Sequence, residues 1–179
     1  MMTGPLSQRS TATVELLEHI PGRAAFLYCD SVVLLVWLDA ADHVVMDRLG
    51  SAIGKLTPRN LPAVSVINWL TPNRPMPDAD ARRRLAQLGR TFQGDVSCVS
   101  VILNGDGFWA GAIRGAVNGI SMLLPSQFEL RVDHTLDDTL LWRPRAHHKL
   151  TGEPLSAQRV RYIVQTGVQT LHRATATDA

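Results

Sequence analysis

Three mainly apolar runs constrain this chain more than anything else in it: SVVLLVWL at 31–38, which is continuous, AVSVINWL at 63–70 and DVSCVSVILNG at 95–105. Each is rich in β-branched residues, and none alternates apolar with polar. Such strands are buried on both faces, which is the condition of a parallel sheet covered on each side by helices. The segments between them read as helices. Asp39 or Asp42 can cap a helix running through Lys55, with Val44, Val45, Leu49, Ala52 and Ile53 at helical spacing. Asp78 opens a second helix to about Thr91, and a third runs from about Gly107 to Leu124.

Before these runs, TVELLEHI and RAAFLYCD flank Pro21-Gly22, turn chemistry that predicts an antiparallel pair. After them come a strand at FELRVDH, a short helix at TLDDTLLW capped by Thr135, and a basic loop containing Pro144 and His147-His148. Ser156 caps a last amphipathic helix with Val160, Ile163, Val164, Gly167, Val168 and Leu171 along one side. The expected fold class is α/β: one domain, a mixed and mostly parallel sheet, and helices on both faces. Its expected divisions are a flexible start at 1–13, the α/β domain at 14–143, a basic proline-containing linker at 144–155, the amphipathic helix at 156–173 and a tail at 174–179.

Composition narrows the function. A formal charge of +2 is too small for a nucleic-acid footprint, and ARRRL at 81–85 reads as a solvated helix face. No apolar run approaches the roughly 18 residues of a membrane span, and no secretory signal is visible in MMTGPLSQRSTAT, so a cytoplasmic protein is expected. Cys29 and Cys98 lie in apolar runs and read as buried thiols. No G-x-S-x-G elbow or Cys–His nucleophile pair occurs, and no metal-ligand spacing, which favours a non-enzymatic protein without cofactor or metal. Asp133, Asp137 and Asp138 could make a hydrolytic or divalent-metal site; more simply, the last two favour the start of a helix.

The glycines Gly107, Gly111, Gly115 and Gly119, one every fourth residue, allow two readings. As G-x-G-x-x-x-G after a strand, Gly105, Gly107 and Gly111 could cradle a phosphate at a helix start. Against this, the strand is a late one, Asp106 puts a carboxylate where the anion would sit, and no P-loop lysine follows. The other reading is a smooth ridge packed closely against the protein's own sheet or against another subunit, and it accounts for all four glycines. Phe108 and Trp109 are then either contact anchors or side chains buried at the sheet's end. The stiff loop at 71–77 follows a buried strand at the edge where open α/β sheets place ligands. Asn68, Thr71, Asn73, Arg74, Asn104 and Asp106 form the candidate ligand-binding set there.

Between about Arg23 and Arg143, the order of elements, the NGDGFWAGAIRG junction and the closing TLDDTLLW resemble the STAS-like superfamily, the fold of anti-sigma-factor antagonists, and above all its divergent small bacterial members. That resemblance implies a regulatory or scaffolding role through contact with a protein partner or by self-association. The glycine helix (Phe108, Trp109, Gly111, Gly115, Gly119) or the last helix (Val160, Ile163, Val164, Val168, Leu171) would be the contact surface. It also implies a phosphorylation motif after the strand at 63–70, where this chain has LTPNRPMPD and only Thr71 to take a phosphate. A small-ligand or lipid-binding module is the alternative, and an enzyme of unknown type the third.

Overall fold

A computed structural model describes residues 13–56, 64–72, 75–92, 94–122 and 129–177. The expected flexible start lies almost wholly outside them. The chain forms one six-stranded sheet in sequence order. β1 (Glu15–Ile20), β2 (Ala24–Cys29) and β3 (Val32–Trp37) are antiparallel; β4 (Val64–Leu70), β5 (Val96–Ile102) and β6 (Glu129–Asp133) run parallel to β3 and to each other. The α/β class, the single domain and the mostly parallel mixed sheet are as the apolar runs predict.

The helices between the parallel strands are α1 (His43–Gly54), α2 (Ala79–Thr91) and α3 (Gly107–Ser121). Crossovers between parallel strands are right-handed, and here every crossover steps to the next strand in the same direction. All three helices are therefore carried to one face. Of the two candidate caps, Asp42 holds α1, accepting from Val45 N at 3.1 Å while Arg23 bonds its other oxygen at 2.7 Å. That guanidinium holds the Asp42 carboxyl below its ordinary pKa. Asp78 caps α2 from 2.7 Å.

The opposite face is covered by α4 (Leu136–Thr151) and α5 (Ala157–Thr177). Here the structure corrects two expectations. α4 is not a short helix followed by a loop: it continues through Pro144 to a left-handed Gly152, so most of the expected linker is helical. A Thr135–Asp138 capping box starts it. And α5 is not a free assembly surface. Val160, Ile163, Val164 and Leu171 are buried and Val168 is partly buried, against Ala25, Leu27, Val32, Leu34, Val36 and Ile67 of the sheet. Apolar strand residues on this face need a cover, and α5 supplies it.

Close helix–sheet approach is required at Gly167, where an added Cβ would collide with Leu34 Cδ2 and touch Leu27. The α3 glycines differ: a Cβ at Gly111, Gly115 or Gly119 would meet nothing within 4 Å. All three face outward, so they are not a ridge against the protein's own sheet. Opposite effects follow for one chemical change. Gly167→Ala should destabilise by about 1–3 kcal/mol through overpacking. Gly115→Ala should stabilise by about 0.5–1 kcal/mol through helix propensity alone. Urea melts of the two variants check both signs.

Candidate functional site

The two faces of the sheet hold different chemistry. On the face of α1–α3, a partly open cavity of about 180 Å3 lies between the strands and the three helices. Its wall is almost entirely apolar: Leu35, Val66 and Val99 from the strands, Met46 and Leu49 from α1, Leu85 and Leu88 from α2, and Trp109, Ile113 and Val117 from α3 are among it. The space exists because α3 is slender. Its inward side offers Ala110, Ile113, Ala116 and Val117, and its glycines point away, so α3 and α2 do not close over the strands between them.

Among the described residues, the polar side chains lining this cavity are Asp39, Asn68 and Thr71, all at the C-terminal ends of β3 and β4. Asn68 Oδ1 accepts from Trp37 Nε1 at 3.0 Å, and its Nδ2 donates to the Ser100 carbonyl at 3.3 Å. The Thr71 hydroxyl donates to the Trp37 carbonyl at 2.8 Å. Asp39 Oδ1 accepts from Ala40 N at 2.8 Å. Of the candidate set, then, Asn68 and Thr71 meet at the cavity, as the loop's position at the strand ends suggests. Asn104 lies next to them, donating to the Leu70 carbonyl at 3.4 Å, with a left-handed backbone of φ 49. Asp106 points elsewhere, its Oδ1 3.3 Å from His134 Nδ1. Asn73 and Arg74 lie outside the described residues. Trp109 belongs to the cavity wall while its neighbour Phe108 is 93% exposed. Sequence reasoning missed Asp39 as a lining residue, because it was read only as a helix cap.

Under α4, the other face holds a buried polar network. Arg143 is fully buried, and its Nη1 donates to the Val66 carbonyl at 2.9 Å and to Ser100 Oγ at 2.5 Å. It sits beside an irregularity in the β4–β5 register between Val64 and Val66. Burial pulls its pKa down to about 10, so it remains a cation at neutral pH. Asp133 is bonded by Thr139 Oγ1 at 2.6 Å and by Trp142 Nε1 at 3.1 Å. His147 was expected in a solvated loop; it is instead buried, its Nδ1 2.9 Å from Ser65 Oγ, while His148 is exposed.

Neither cysteine is poised as a nucleophile. Burial, with Asp30 beside it, pushes the Cys29 thiol up to about 11, and burial also raises that of Cys98. Among the described residues no cluster of three His, Cys, Asp or Glu side chains could hold a metal ion, and no helix is long and apolar enough to cross a membrane.

Burial and the Arg143 charge lower the His147 pKa from 6.5 to about 4. A histidine depressed in the folded state stabilises fully above its unfolded pKa, and that contribution is lost as pH falls through the window from 6.5 to about 4. Stability should fall by about 2–3 kcal/mol across it. His147→Gln should remove most of that slope, which urea melts at a series of pH values would measure.

Set beside known proteins, the chain matches no family model and no curated protein sequence.

Proposed function

We propose that this protein is a non-enzymatic module that binds a small, mainly apolar molecule between its sheet and α1–α3. The observation that carries this reading is the cavity of about 180 Å3, apolar along its walls and polar only at the strand ends. Ligand sites have this composition: apolar surface for affinity, a few placed polar groups for orientation. An engineered apolar cavity of roughly 150 Å3 stays dry and binds benzene. A ligand on the order of ten non-hydrogen atoms fits this one. The order of elements is what supports kinship with STAS-like proteins in this proposal, and a cytoplasmic regulatory setting is proposed with that kinship.

Toluene is a suitable first probe, with the emission of Trp37 and Trp109 in the wall as reporter. At ten times its Kd, toluene should add about 1.4 kcal/mol of stability and raise the melting temperature by roughly 3–5 °C. Ala116→Phe, filling the space from α3, should keep the fold and abolish both responses. No shift in the wild type would dispose of the cavity as a site.

A second reading concerns the outer side of α3. Phe108 at 93% and Met122 at 86% exposure bracket Gly111, Gly115 and Gly119 on one side of the helix. Large apolar side chains at both ends of a flat strip suit contact with another chain, by self-association or with a protein partner. Phe108→Glu should then lower the mass seen by light scattering without lowering the melting temperature. A wild-type mass that stays monomeric across a concentration series removes this reading.

A further inference from the structure

Resting on the cavity reading, we propose that the ligand is an apolar molecule carrying a hydrogen-bond-donating end, a hydroxyl or an amine, and that carboxylates and phosphates are refused. What the described side chains of the polar end can still offer is mostly acceptors. The Thr71 hydroxyl spends its proton on the Trp37 carbonyl, so its oxygen can only accept. Asn68 Oδ1 takes one proton from Trp37 Nε1 and keeps a second lone pair. Asp39 uses one carboxylate oxygen on Ala40 N and has a second to offer. Against these acceptors stands, among the described side chains, a single donor, the second amide hydrogen of Asn68, whose first goes to the Ser100 carbonyl.

Charge points the same way. Among the described residues that line the cavity, Asp39 is the charged one. Among the described residues, Arg23, which reaches the Ala40 carbonyl at 3.5 Å, is committed to Asp42 at 2.7 Å. Among the described side chains, an anionic head would meet three accepting oxygens, one of them on a carboxylate, with one donor to satisfy it. A hydroxyl or ammonium head would meet partners it can bond, with its tail along Leu35, Val66, Val99 and Ile113. An acceptor-rich end built onto an apolar wall therefore selects by repulsion as well as by attraction.

The test is a calorimetric comparison of 1-octanol, octylamine and octanoate on the full chain at pH 7.5. Octanol and octylamine should bind at least about tenfold more tightly than octanoate. In Asp39→Asn, which keeps the shape of the side chain, octanoate should gain and octylamine lose affinity, each roughly fivefold, with octanol little changed. Thr71→Val should weaken octanol about fivefold by removing an acceptor. Octanoate binding as tightly as octanol in the wild type overturns the proposal, and so does an Asp39→Asn variant that leaves the order of the three unchanged. If toluene stabilises the protein and none of the three amphiphiles binds, the polar end takes no part and this inference fails alone. If toluene also fails, the cavity reading fails and takes the inference with it.

Discussion

The handedness of the crossovers organises everything else in this molecule. Parallel strands laid down in sequence order, each joined by a right-handed connection, must place α1, α2 and α3 on one side. The other side of β2, β3, β4 and β5 is then bare until β6 is complete. Whatever follows β6 has to cover Leu27, Leu34 and Ile67, because those side chains cannot be left in water. The helices after β6 are for this reason structural, and α5, which looks like an appendage in the sequence, is half of the core.

Strand and helix order was legible in the sequence because it rests on apolar patterning, and the three buried runs are apolar enough to carry that signal despite the few small polar residues in the second and third. The second half of α4 was not legible for the converse reason. Its buried positions Thr139, Arg143, Ala146 and His147 fall at helical spacing, but three of the four are polar, and a proline stands among them. A periodicity search sees a basic loop there. The partners that make those side chains acceptable in the interior, Ser65, Ser100 and the Val66 carbonyl, come from strands far away in sequence. The small polar residues on one side of β4 and β5 were the available hint, since a fully apolar cover would have no use for them.

The candidate site divides in the same manner. Asn68 and Thr71 could be placed at strand ends from the sequence, because the strands ended visibly in a proline-rich loop. The cavity could not, since empty space depends on how far apart two helices stand. The glycines of α3 contribute to that spacing indirectly. They face outward, yet interleaved with Ala110, Ala112 and Ala116 they leave few bulky side chains on the helix to fill the gap toward α2. A helix with an apolar wall on one side and Phe108 and Met122 exposed on the other joins the interior space to the outer surface. Each interior glycine lowers helix propensity by about 0.5–1 kcal/mol, and here no tight contact offsets it.

Among the described residues the margins of the sheet are β1 and β6, and both are guarded. β1 carries Glu15, Glu18 and His19 and breaks register between Leu16 and Glu18, while β6 places Glu129 and Arg131 along its short length. Arg131 pairs with Glu129 at 2.8 Å and lies 4.7 Å over the Trp142 ring. Charged, irregular or short edges discourage a second sheet from adding its strands. Lateral growth of the sheet by pairing at β1 or β6 is therefore disfavoured.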